Sequence, residues 1–186
     1  MKKMVIVIAG TAALAACNKP AVNEKNASVS EVANAVRESG IANESFLKAG
    51  QWQVKAIVED MSMPNLPAEA QAQIKQTMQR AAANTFEYCL TEEEARRPAG
   101  KFFTGKEDSN CRYDHFQLGG GKFDAAMRCE EQGHVQTMKM NGTYSPDNYT
   151  THVEMNVDGG PQGKVTMKMR SEAKRIGQCT AQTASK

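Results

Sequence analysis

The sequence predicts a mainly β domain: an antiparallel, curved meander sheet of about six to seven strands, with one or two covering helices and two disulfides. Three observations predict it. From Cys111 onward, runs of alternating apolar and polar residues follow one another. Turn-forming clusters separate them: Gly119-Gly120-Gly121, Gln132-Gly133, Ser145-Pro146-Asp147-Asn148 and the loop Gly159 to Gly163. Pairing the strands across those turns keeps one apolar set on a single face, and a slip of one residue would reverse that face.

The chain opens with an export signal. Lys2 and Lys3 precede an uncharged run, Met4 to Leu14, that is too short for a bilayer, which needs about 20 apolar residues. Leu14-Ala15-Ala16-Cys17 resembles the bacterial lipobox. That resemblance implies a thioether-linked diacylglycerol on Cys17, cleavage before it and acylation of the new amino terminus. Asn18, in place of an inner-membrane-retaining Asp, favours the outer membrane over the inner. The organisation expected is a signal peptide over 1–16, a lipidated tether carrying a short helix over 17–44, one β domain over 45–180 and a polar tail over 181–186. Asn18 to about Val29 is polar and lacks aromatics, and reads as flexible tether. Ser28 and Glu31 have capping-box spacing, Val29, Val32, Ala33 and Val36 share one helical face, and Gly40 ends that helix.

Gln51 to Glu59 alternates, with Trp52, Val54, Ala56 and Val58 on one side, and reads as the first strand. Ala68 to Ala83 follows Pro67 as a helix with a thin apolar stripe. With the first strand, it is expected to cover the buried face of the sheet. Phe86 to Leu90 reads as a short strand, Thr91 and Glu94 as a second capping box, and Ala99 to Asn110 as a loop.

The meander has a derivable register. Pairing Leu118 with Lys122 sets Tyr113 opposite Met127 and Cys111 opposite Cys129. The next turns pair Met127 with Met138, Tyr144 with Tyr149, Met138 with Met155, Met155 with Met167 and Val153 with Met169. On the other face, Lys139, Glu154 and Lys168 alternate in sign across strands, as cross-strand pairing favours. With Cys17 lipidated, four of the five cysteines remain. The register assigns Cys111–Cys129, which leaves Cys89–Cys179.

Several landmarks also carry a family resemblance. They are Trp52 after Gly50, Met63-Pro64, Cys89-Leu90-Thr91 with trailing acidic residues, Cys111, Cys129, Gly142-Thr143-Tyr144 and Ile176-Gly177-Gln178-Cys179. This ordered set, from about Gly50 to Cys179, resembles the bacterial secreted proteins of domain-of-unknown-function family 3617. The resemblance implies a periplasmic or surface domain and brings no activity, substrate or catalytic residue.

For function, the sequence excludes more than it names. Cleavage removes Lys2 and Lys3 and leaves the mature side chains neutral overall, which argues against nucleic-acid binding. There is no Cys-x-x-Cys, no Gly-x-Ser-x-Gly and no His-Glu-x-x-His. Gly119 to Gly121 lacks a following helix and a Walker lysine, so it is a turn. His152 falls on the wet face and His115 and His134 on the apolar side, none with a partner that marks a triad. Glu92 to Glu94 reads as a helix start. Met127, Met138, Met140, Met155, Met167 and Met169 share one face, and Met61 and Met63 add a pair. Core packing is the plain reading. Cu(I) binding by Met138, Met140, Met155, Met167 and Met169 is the sharper one, since thioethers select that ion. A greasy pocket for a lipid or unfolded chain is a third. The expectation is a non-enzymatic, periplasm-facing lipoprotein without cofactor, held to the outer membrane through Cys17, whose sheet binds a ligand or envelope protein. A copper-tolerance protein is the alternative.

Overall fold

The structure, a computed structural model, describes residues 21–41, 46–96, 110–131, 133–158 and 163–180. The expected signal peptide, Cys17, the expected polar tail and nearly all of the expected loop before Asn110 lie outside them. Among the described residues, eight strands form one antiparallel sheet in the order β1-β4-β5-β6-β7-β8-β2-β3. The strands are β1 (Val22–Ser28), β2 (Gly50–Ser62), β3 (Phe86–Leu90), β4 (Cys111–Gly119), β5 (Lys122–Glu131), β6 (His134–Ser145), β7 (Asn148–Asp158) and β8 (Val165–Gly177). Three helices accompany them: α1 (Val29–Glu38), α2 (Ala68–Ala82) and α3 (Glu92–Arg96). No helix among the described residues is long and apolar enough to cross a membrane.

The five-strand meander β4 to β8 has the predicted pairings Met127–Met138, Met138–Met155, Tyr144–Tyr149, Met155–Met167 and Val153–Met169. The first hairpin differs at its turn. Gly120 and Gly121 both take positive φ (58° and 73°), so the turn uses two residues and Gly119 pairs with Lys122. A bulge at Asp114 absorbs the extra residue, and beyond it Tyr113 faces Met127 and Cys111 faces Cys129. The bulge also reverses the alternation of β4. Leu118 and Phe116 point inward before it and Tyr113 and Cys111 after it. His115 is therefore carried to the wet face, which corrects its sequence placement.

The sheet is wider than the meander because β1 joins it. Residues 22–28, expected as tether, pair with β4 from Val22–Leu118 to Ser28–Arg112. Only Val22 and Ala27 of this polar strand are buried. Its exposed Asn23 and Lys25 suit an edge, where charge discourages further pairing. Ser28 ends β1 and caps α1. Its Oγ accepts from the Glu31 amide at 3.2 Å, and its own amide donates to Glu31 Oε2 at 2.7 Å. The Ser28 amide and the Ser28 hydroxyl, which donates to Glu31 Oε2 at 2.8 Å, together hold the exposed Glu31 carboxyl below the usual carboxylate range. Helix α1 buries Val29, Val32, Ala33 and Val36 in the core. The packed unit thus begins at Val22, ahead of the boundary expected at 45.

Helix α1, and not α2, covers the inner face. Helix α2 has no buried residue. It is held beside β2 by Lys75–Asp60 at 3.9 Å and by Gln71, whose Oε1 accepts from the Met63 amide at 3.3 Å. Strand β2 continues the sheet by pairing with β8 and β3. Trp52 at its start is fully buried, and its Nε1 donates to the Lys48 carbonyl at 2.9 Å. Disulfides join Cys89 to Cys179 and Cys111 to Cys129.

Candidate functional site

The inner face is not filled evenly. Where the β4–β5 and β6–β7 turns end the sheet, a cavity of about 370 Å³ remains. That volume lies in the ~300–1,000 Å³ range of small-molecule pockets. Strands β4 and β5 contribute Tyr113, Phe116, Leu118, Phe123 and Ala125, and β6 and β7 contribute Met140, Tyr144, Tyr149 and Thr151. Phe46 and Leu47, after α1, close one side, and Tyr88 of β3 closes the other. Strands β3 and β4 are six steps apart in the sheet. At about 4.8 Å per strand they would lie roughly 29 Å apart if it were flat. Their sharing of one cavity means that the sheet wraps around it.

The walls are aromatic and locked to one another. Phe46 meets Tyr144 edge to face at 5.3 Å, and Tyr113 meets Phe116 in the same way at 5.3 Å. Tyr149 stacks at a tilt on Trp52, with centroids 5.8 Å apart. The polar atoms are few. Burial pushes the Tyr88 and Tyr149 hydroxyls above the ordinary phenol range, and the electrostatic interaction between the two raises Tyr88 further while Tyr88 partly offsets the shift of Tyr149. Tyr113 is fully buried, and its Oη has no hydrogen-bond partner. Burial alone pushes it up. Tyr144 Oη is also buried without a partner. The Gly121 backbone offsets part of its upward shift without meeting hydrogen-bond geometry.

The methionines form rows across the same face. Met127, Met138, Met155, Met167 and Met61 are successive cross-strand partners on β5, β6, β7, β8 and β2. Met140, Val153, Met169 and Val58 form the adjoining row. Met127 is buried, and Met138, Met140, Met155, Met167 and Met169 are half-buried. The Gln136 amide donates to Met155 Sδ at 3.0 Å. Among the described residues no cluster of three or more His, Cys, Asp or Glu could hold a metal.

The histidines stand apart from both features. His115 Nε2 meets Asp124 Oδ1 at 2.6 Å on the wet face, and His134 and His152 are exposed. His134 keeps the unbroken register that places it on the side of Met138, at the exposed start of its strand. Glu94 closes the capping box at Thr91, whose amide donates to it at 3.0 Å. Sequence reasoning placed Tyr113 and Met140 inward and offered a greasy pocket at the methionines, but it did not locate this aromatic cavity and passed over Phe46 and Leu47. An alternating pattern says which side chains face in. It does not say whether they meet.

The sequence model of one protein family, described as a protein of unknown function (DUF3617), matches residues 47–179. The chain belongs to that family. The DUF3617 match runs from Leu47 to Cys179. It takes in β2 to β8, both disulfides and every cavity-lining residue except Phe46. Strand β1 and helix α1, which complete the core of this DUF3617 protein, precede it. No curated protein and no solved structure matches the chain.

Proposed function

We propose that this chain is a lipid-anchored envelope protein that holds a ligand inside its wrapped sheet and performs no catalysis. The observation that carries the reading is the aromatic cavity, in whose walls the Tyr113 and Tyr144 hydroxyls are buried without partners. A finished core leaves neither empty volume nor orphan donors. The lipobox-like Leu14-Ala15-Ala16-Cys17 supports the address. Val22, the first residue of β1, follows Cys17 by five residues. Five residues span at most about 18 Å. A lipid on Cys17 therefore keeps the domain against the membrane, with the Leu118 end of the cavity nearest, because Val22 pairs with Leu118.

The test is to recover the mature protein from the envelope that makes it and to identify small molecules released on denaturation. A stoichiometric compound absent from a Phe123→Trp variant, whose larger ring fills the cavity, is the expected result. Recovery of the protein empty under all growth conditions would remove the reading.

The methionine rows favour a second reading, Cu(I) binding by Met138, Met155 and Met167, with Met140 and Met169 alongside. Titration of Cu(I) against a competing chelator decides it. Tight 1:1 binding that Met155→Leu weakens supports copper, and binding no tighter than to the denatured chain excludes it.

A further inference from the structure

We infer that the cavity receives the acyl chain of a membrane lipid, bound noncovalently, which continues from it along an apolar trough over the methionine rows. The inference rests on the cavity reading above and adds the class of the occupant. No charged side chain lines the cavity. The same holds along the inner face beyond it. From the Tyr144–Tyr149–Ala173 row to the Cys129–Gln136–Val157–Val165 row, the inward positions of β5 to β8 carry no charge. Gln136, Thr151 and Ser171 are the polar ones there besides the tyrosines. Tyr149 to Val157 is eight steps along β7, roughly 27 Å at about 3.4 Å per residue. A charged or sugar-like body would lose its water there without replacement, so the occupant is a hydrocarbon over most of its length.

The shape of the apolar surface selects a chain. Helix α1 packs on β1 and β4, and α2 lies beside β2. On β6 to β8, Met138, Met140, Met155, Met167 and Met169 face inward and remain half-buried, as does Val153. Met140 belongs both to the cavity wall and to the methionine rows, so cavity and trough are one surface. A compact molecule would fill the cavity of about 370 Å³ and leave the trough open to water. A long, thin chain covers both. Methionine is unbranched and rotates about three bonds, so it settles against such a chain. The source follows from the amino-terminal side of the domain. Val22 pairs with the cavity residue Leu118, so the expected anchor on Cys17 holds the cavity beside a bilayer that supplies lipid. The chains on Cys17 are themselves that anchor, and each one withdrawn from the bilayer weakens it, which leaves the trough to a separate lipid.

The test uses the mature chain, residues 17–186, with Cys17→Ser so that it carries no lipid of its own. The probes are octyl, decyl and dodecyl maltoside below their micelle-forming concentrations, with 2-ethylnaphthalene as a compact apolar control. Trp52 is the only tryptophan of the chain and stacks on the cavity residue Tyr149, so its fluorescence reports binding, with calorimetry as a check. Affinity is expected to rise about fourfold per methylene, since each one buried adds a constant increment. Dodecylphosphocholine should match dodecyl maltoside, because the head group stays in water. Met155→Glu, which places a charge in the trough, should weaken dodecyl maltoside about tenfold or more and leave 2-ethylnaphthalene unchanged. The chain-length series decides the matter without that variant. The lipidated protein recovered from its envelope should release a free acyl lipid on denaturation. Affinity independent of chain length, tighter binding of 2-ethylnaphthalene than of dodecyl maltoside, or release of a compound without an acyl chain overturns the inference and leaves the cavity reading standing. A folded Met155→Glu with unchanged affinity for dodecyl maltoside does the same. A lipidated protein that releases no lipid and takes up no dodecyl maltoside, while the Cys17→Ser chain does, assigns the trough to its own acyl chain and overturns the inference. Failure of every probe to bind, with nothing released, overturns both.

Discussion

Tyrosine is the residue on which the behaviour of this protein turns. The chain has four, Tyr88, Tyr113, Tyr144 and Tyr149, and all line the cavity. Burial raises the pKa of each. A raised folded-state pKa means that above pH ~10 the unfolded chain ionises first. The stabilisation is complete below that pH and is lost as pH rises past it. Absorbance at 295 nm should show less phenolate in the folded protein than in the unfolded chain as pH rises past ~10, and the remaining phenolate should appear together with loss of Trp52 burial. Ionisation preceding unfolding would show that the hydroxyls reach water. Tyr113→Phe removes a buried hydroxyl without a partner and should stabilise the ligand-free protein by about 1 kcal/mol in urea unfolding. Loss of stability would mean that Tyr113 has an acceptor after all. Gly142 is constrained in another way. A Cβ there would strike the Thr150 carbonyl and the Phe123 ring that lies across it. Gly142→Ala should cost about 1–3 kcal/mol, measured by the same unfolding.

At the scale of elements, β1 and α1 decide how the sheet is closed. Val32 and Val36 of α1 are fully buried, and Val22 and Ala27 of β1 join them in one core. A chain that begins at residue 45 should therefore lose its cooperative urea transition and bind a hydrophobic dye. A sharp transition at the original midpoint would show that β1 and α1 are dispensable. Ser28→Ala, which breaks the capping box, should cost about 1 kcal/mol. The helix was legible because Val29, Val32, Ala33 and Val36 repeat at helical spacing. Strand β1 was not, because an edge strand with two inward residues has no alternation to read. The first hairpin shows a similar limit. Its pairing at Cys111 could be read, but the two-residue turn and the bulge at Asp114 offset each other and left no trace in the pattern. That pair of offsets is what moved His115 to the other face.

At the scale of the whole molecule, the disulfides tie distant parts together. Cys89–Cys179 closes a separation of 90 residues and Cys111–Cys129 one of 18. On loop entropy, removing the first should cost about 4–5 kcal/mol and the second about 3. Urea unfolding of the two paired Cys→Ala variants measures the difference, and equal losses would contradict the ranking. The proposed lipid anchor belongs to the same scale. Cys17→Ser should leave an uncleaved or soluble precursor, followed by lipid labelling and fractionation. A Cys17→Ser protein that still carries labelled lipid would refute the anchor.

Sequence alone determined the antiparallel meander, the faces of β5 to β8 and the opposition of Cys111 and Cys129. Each follows from local rules, since a period of two and the turn residues fix register between neighbouring strands. The expectation of an export signal and the lipobox resemblance likewise rest on contiguous residues. Tertiary structure decided what neighbours in sequence cannot. It recruited β1 to the edge, moved α2 off the core and wrapped the sheet until Tyr88 of β3 and Phe116 of β4 reached one cavity. The physical reason is that curvature and closure come from the packing of all eight strands and α1 together. The space left between Tyr113, Tyr144 and Tyr149 belongs to that sum.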